Sequence, residues 1–235
     1  MSPDPATTAD LATLDHCTAR LLQTARSLDD PGAPSLCEGW TRGHILTHIA
    51  RNADAIGRLA EWAVTGTPQE MYPGGAAARE AEIEAGAGRP VESLRADVAD
   101  TAKHLAPRLR ALEGDLAADE VEMRGGMRVS PLQLPFMRIR EVVYHHVDLD
   151  AGFGFEDVEH ALLVRFIDDA VARLRMGHHP PELALRADEG GTWQVGDSTA
   201  YVVSGSLAGL LLWLARRIPS AISSDGPLPT LPRGA

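Results

Sequence analysis

Lysine is almost missing from this chain: Lys103 is the single one among 22 basic residues, set against 33 acidic ones, for a net charge of −11 over 235 residues. A surface so short of cations presents no broad phosphate-binding face, which excludes nucleic acid as a partner. Cysteine is scarce as well. Cys17 and Cys37 lack a close CxxC spacing, so neither a disulfide framework nor a cysteine-rich zinc knot is indicated, and both thiols are expected to be reduced. No basic region followed by an apolar run opens the sequence, and the longest apolar stretch, 207–214, is far too short to span a bilayer. The protein is therefore expected to be soluble and cytoplasmic, with no membrane partner. Glycine-rich phosphate loops, serine nucleophile elbows and HExxH are also missing, which removes the commonest nucleotide, acyl-transfer and metalloprotease readings.

What the chain does have is apolar content of 44%, enough for a substantial core. Its alanine, glycine and arginine bias is that of a GC-rich bacterial genome. Apolar residues recur at helical spacing over 8–28, 42–64 and 90–112, the last interrupted by Pro107, where a kink is expected. A short charged helix is expected at 76–84, and a loop or small hairpin at 114–129. Ser130-Pro131 then supplies a cap and a first-turn proline for a fourth long helix. Long helices joined in this order read as an antiparallel four-helix bundle, an architecture that builds metal sites between facing helices.

After residue 152 the pattern changes. A helix over 157–175 is followed by strand candidates at 182–187, 192–195 and 200–203, with Gly190-Gly191 as a turn, and by a strongly apolar closing helix at 204–217. The expected class is α+β. Residues 1–152 form the metal-binding bundle, 153–217 a small C-terminal α/β domain, and 218–235 a flexible tail.

Chemistry concentrates in residues 137–150, MRIREVVYHHVDLD. On a helix Glu141 and His145 stand one turn apart on one face and are able to chelate a single cation. A second stretch, TRGHILTH, offers His44 and His48 from another helix. Catalytic zinc is commonly held by three His or carboxylate ligands with one position left open, and His48, Glu141 and His145 match that set. Spacing alone leaves His44 and His146 as rival ligands. It also leaves a plain alternative in which Glu141 and His145 are an ordinary helical ion pair, worth about 0.2–0.5 kcal/mol. Two strongly apolar helices weigh against that alternative, since charged groups among apolar neighbours need a partner or a metal. Asp148 is placed either to orient a ligand imidazole or to cap its helix, while Cys37 and the loop pair His178 and His179 are weaker candidates.

The segments CEGWTRGHILTHIARNADAIGRL, REAEIEAGAGRP and LPFMRIREVVYHHVDLDAGF resemble the mycothiol-dependent maleylpyruvate isomerase family, and GSLAGLLLWLARR looks like the end of that family's C-terminal domain. The resemblance implies a DinB-like metalloenzyme fold for the N-terminal bundle. It implies Zn2+, or another divalent metal, on His48, Glu141 and His145, with a low-molecular-weight thiol, mycothiol by this likeness, as cofactor. The implied activity is cis–trans isomerisation of maleylpyruvate to fumarylpyruvate by reversible thiolate addition. A functional arginine near the end of the last helix maps to Arg217, with Arg216 the adjacent alternative. Arg79 and Arg138 are further candidates for holding thiol or substrate, because arginine grips carboxylates bidentately. Phe136 stands where the family commonly has tryptophan, and ARR replaces a frequent GR ending, so pocket shape and carboxylate recognition are open to difference. The alternatives are a thiol S-transferase acting on another electrophile, an isomerase using a different thiol such as ergothioneine, or a metal-binding module without turnover. The expected partners are a small electrophile and a thiol, in a monomer or homodimer.

Overall fold

In the computed structural model residues 4–198 and 201–231 are described, and the chain divides into two compact units, Met1–Ala151 and Gly152–Ala235. The first unit is built on four long helices: α1 (Pro5–Ser27), α2 (Arg42–Thr65), α4 (Val91–Arg110) and α5 (Leu134–Asp148). Each packs against two of the others, α1 on α4 and α5, and α2 on α4 and α5, so the apolar stripes close around one core. Leu21, Ile45, Ile49, Leu94, Leu109, Ile139 and Val142 are fully buried in it. Pro107 sits inside α4, which continues past it to Arg110. The shorter α3 (Gly75–Ala87) lies on α2.

Two glycines permit that contact. A Cβ on Gly43 would fall 2.2 Å from the carbonyl oxygen of Ala87, and one on Gly86 would fall 2.4 Å from Thr47 Cγ2. The end of α3 is thereby seated on the first turns of α2, which fixes where the rest of α3 presents its side chains. The expected hairpin is short: β1 (Val121–Glu122) and β2 (Arg128–Val129) pair antiparallel. Ser130 caps a single 3-10 turn, Pro131–Gln133, which leads directly into α5.

The second unit is a four-stranded sheet of order β4-β3-β5-β6 with two helices, α6 (His160–Met176) and α7 (Leu207–Arg216). β3 (Leu183–Ala187) pairs antiparallel with β4 (Thr192–Val195) through the Gly190-Gly191 turn, and parallel with β5 (Tyr201–Gly205). The part of the strand candidate at residue 200 lies outside the described residues. The stretch read as a tail carries a strand: β6 (Ile222–Ser224) pairs antiparallel with β5, and Asp225 Oδ1 accepts from Val202 N at 2.7 Å. Residues 232–235 of that stretch, and 1–3 of the first unit, lie outside the described residues. No helix among the described residues is long and apolar enough to cross a membrane.

Candidate metal centre

The start of α2 and the end of α5 are stitched together by backbone acceptors. Arg42 donates from Nε to the carbonyl of Leu149 (2.7 Å) and from Nη2 to that of Asp150 (2.5 Å), and Leu36 N donates to the carbonyl of Asp148 (3.0 Å). This seam brings His48, nearly two turns into α2, against Glu141 and His145 on α5. Glu141 Oε2 lies 3.0 Å from His48 Nε2 and 3.6 Å from His145 Nε2, and the two imidazoles meet edge to face at 4.5 Å between ring centres.

Those spacings suit a cation. Bonds of about 2.0–2.1 Å in tetrahedral geometry put neighbouring donor atoms roughly 3.3 Å apart, and the three donors lie within 4.8 Å of one another. The set, two imidazole nitrogens and a carboxylate, is one that zinc-like ions prefer. Side-chain exposure runs from 5% for His48 through 14% for His145 to 26% for Glu141, so the cluster is set into the bundle yet reachable along its carboxylate.

A second donor group, Cys37, His145 and Asp148, shares one imidazole with the first. Here Asp148, wholly buried, accepts from His145 Nδ1 at 2.7 Å and from Cys37 Sγ at 3.2 Å. A carboxylate on Nδ1 holds the ring so that Nε2 faces Glu141 and His48, the usual support behind a ligand histidine. Asp148 therefore orients the imidazole, and the first group is the better ligand set.

The rival histidines are accounted for elsewhere. His44 is the third residue of α2: its Nδ1 accepts from Thr41 N at 3.1 Å, capping the helix, and its Nε2 reaches Glu84 on α3 at 3.1 Å. His146 is buried and bonds Thr24 Oγ1 at 2.7 Å, in the α1–α5 seam. Trp40, which spacing did not single out, lies 5.5 Å from the His48 ring and 6.5 Å from that of His145 and walls one side of the cluster.

Protonation in the ion-free cluster follows from burial and these bonds. Burial, aided by the neighbouring His145 charge, holds the His48 imidazole down to about 4. Burial opposes ionisation of Glu141, but hydrogen bonds from His145 and His48 overcome it and keep the carboxyl well below its ordinary range. Burial likewise opposes the charge on His145, yet bonds to Asp148, Cys37 and Glu141 raise it well above the usual value. Between pH 6.5 and about 4, unfolding lets His48 take up a proton that the fold refuses, so ion-free protein should lose stability as pH falls through that window. His145, raised in the fold, contributes fully below 6.5 and loses its contribution only above it, so it does not reverse the sign. Thermal unfolding at pH 7 and pH 5 should show this slope in wild type and a shallower one in His48→Gln.

The four arginines separate. Arg79, half-buried on α3, donates from Nη2 to His48 Nδ1 at 3.0 Å, with Cζ 5.4 Å above the Tyr72 ring. His48 then accepts at Nδ1 and donates its Nε2 proton to Glu141. A cation on Nε2 would move that proton to Nδ1, where it meets the Arg79 donor, so loading the cluster obliges Arg79 to release His48. Arg138 departs from the expectation that it holds a ligand. It is 2% exposed, and Nη1 donates to the carbonyl of Ile49 (3.0 Å) and to Asn52 Oδ1 (2.6 Å), which ties its guanidinium to α2. Arg216 and Arg217 belong to the second unit, where Arg217 closes α7 with φ of 62° and donates to the carbonyl of Leu214.

Residues 14–150 match the family model of the mycothiol maleylpyruvate isomerase N-terminal domain. No curated protein matches this chain significantly in sequence. Among solved structures, it superposes on a mycothiol-dependent maleylpyruvate isomerase with a TM-score of 0.89 at 30% identity, over 96% of both chains. A histidine-to-alanine mutant of a mycothiol-dependent maleylpyruvate isomerase gives the same TM-score and coverage at 28% identity. With the model spanning more than half of the residues, the chain belongs to the mycothiol maleylpyruvate isomerase family.

Proposed function

We propose that this protein is a divalent-metal- and thiol-dependent cis–trans isomerase whose substrate is maleylpyruvate and whose thiol is mycothiol. The observation that carries this reading is the partly open group of His48, Glu141 and His145, spaced for one cation. An ion held there would supply the charge that keeps a small thiol ionised, and the thiol the nucleophile that adds reversibly to a cis double bond. The chain's own residues prepare that site. Glu141 is already ionised, Asp148 fixes the face of His145, and Trp40 shields one side from water. Arg79, once released from His48, is a cation beside the reacting centre, suited to a substrate carboxylate.

Family likeness also puts forward Arg217, with Arg216 beside it, as a carboxylate partner. The backbone favours Arg217 of the two. Its left-handed φ of 62° at the helix end is a conformation glycine adopts freely and other residues adopt at a cost of about 1–2 kcal/mol. Arg217→Gly should therefore leave thermal stability unchanged or higher while reducing turnover, a combination that loss of a merely structural residue would not give.

The test of the whole reading is maleylpyruvate conversion by zinc-loaded protein with and without mycothiol, followed by absorbance. Conversion should appear only with the thiol. Thiol-independent conversion, or conjugation without isomerisation, would overturn it.

A further inference from the structure

The thiol of Cys37 lies on the Nδ1 side of His145, in the loop between α1 and α2, and a tight turn holds it there. Ser35 Oγ donates to the Trp40 carbonyl at 2.8 Å and accepts from Cys37 N at 3.2 Å, and Trp40 N donates to the Cys37 carbonyl at 3.0 Å. Leu36 N ties the same turn to the carbonyl of Asp148, so the thiol is pinned against the end of α5. Cys37 is half-buried, and Glu38 and Gly39 beside it are exposed, which gives an ion a way in.

As a hydrogen-bond donor to the buried Asp148 carboxylate, sulfur is a weak choice, and a hydroxyl would serve better. What sulfur adds is affinity for soft cations, and its neighbours complete a donor set. Cys37 Sγ and His145 Nδ1 lie 3.2 and 2.7 Å from Asp148 Oδ2, and the three atoms are all within 4.8 Å of one another. Ligand atoms around a tetrahedral zinc-sized ion stand roughly 3.3–3.6 Å apart, so the triad needs to open by only about half an ångström once its bridging protons leave. A thiolate, an imidazole and a carboxylate together favour a thiophilic divalent ion, such as cadmium or surplus zinc, over magnesium or calcium.

His145 cannot serve both donor sets at once. A neutral imidazole has one lone pair and one N–H. An ion on Nδ1 takes the lone pair there, the Cys37 proton passes to solvent, and the proton left on the ring sits on Nε2, facing Glu141 Oε2 at 3.6 Å where the first group needs a lone pair. The geometry points to Cys37, Asp148 and His145 Nδ1 as an inhibitory site for thiophilic divalent cations, whose occupancy withdraws His145 from the group it shares with His48 and Glu141. The antagonism is reciprocal, so an ion in the first group weakens the second site by the same factor. The inhibitory role rests on the first group as the seat of the working ion.

Cadmium alone is the probe, added to full-length protein freed of metal and kept reduced by a phosphine. Titration should raise thiolate-to-cadmium charge-transfer absorption in the ultraviolet in wild type, in Cys17→Ser, and in His48→Ala, which breaks the first group. Cys37→Ser keeps a donor to Asp148 and should lack the absorption. The chain has two cysteines, so Cys17→Ser assigns the band to Cys37 even if Cys37→Ser fails to fold. In wild type carrying one zinc, cadmium should release zinc to a chromogenic chelator at a concentration about tenfold lower than in Cys37→Ser. No absorption in wild type, its loss in Cys17→Ser, or zinc release at equal cadmium in wild type and Cys37→Ser overturns the inhibitory site. Failure of wild type to bind zinc at all defeats the first-group reading instead, and the cadmium band still decides whether Cys37 ligates.

Discussion

Glu141→Ala and His48→Ala should each remove bound metal and turnover together while the chain remains folded. One of three protein donors is lost in either variant, and the fall in affinity should exceed the roughly 10–100-fold typical of losing an outer partner. Glu141 carries the larger effect because it is the only anion in the set and sits between both imidazoles, at 3.0 and 3.6 Å. Asp148→Asn should fall in that lower range, since it loosens His145 without deleting a donor. His44→Ala is the control. It strips the cap of α2 and should cost about 1 kcal/mol of stability with metal affinity unchanged. Chelator competition monitored by metal release ranks the four variants. Retention of full affinity by Glu141→Ala would mean that the ion sits elsewhere.

The geometry of the candidate site separates what could be read from residues alone from what could not. Glu141 and His145 were legible because both belong to one helix, where a four-residue step settles their common face. His48 against His44 is different, since both lie on α2 at the same step. The deciding signal was nevertheless in the sequence: Thr41 at the N-cap and His44 three residues later have the spacing of a capping pair, which engages the His44 ring. Arg79 could not be placed from spacing, because its contact with His48 depends on how α3 lies across α2 at Gly43 and Gly86. The same limit holds in the second unit. Its helices and the β3–β4 hairpin are local patterns, whereas the parallel β3–β5 pairing and strand β6 join residues distant in sequence. A three-residue strand in a stretch rich in proline and serine carries no period of its own.

Arg138, a candidate for holding thiol or substrate, is instead built into the core, and replacing it with alanine should be among the most destabilising single changes in the first unit. The residue precedes Glu141 by three positions on α5, yet its side chain turns inward to α2, and Arg138 is enclosed while Glu141 is not. Burial brings the guanidinium down to about 10, with the nearby Glu141 carboxylate opposing that fall, so it remains charged at neutral pH. Arg138→Ala would strand Asn52 Oδ1 without its donor, take the second donor from the Ile49 carbonyl and leave the volume of a long side chain unfilled, at a combined cost of about 3–5 kcal/mol. Arg138→Met keeps most of the volume and strands the same Asn52 oxygen, so it should cost less, about 1–3 kcal/mol. Neither change should weaken metal binding, because removing a cation close to Glu141 makes the site more attractive to a divalent ion. A carboxylate-holding role predicts the reverse pattern: an unchanged urea midpoint with a raised KM for substrate. Urea unfolding paired with chelator competition on the two variants therefore distinguishes a structural cation from a substrate-binding one, and a midpoint equal to wild type in Arg138→Ala would return this residue to the substrate site.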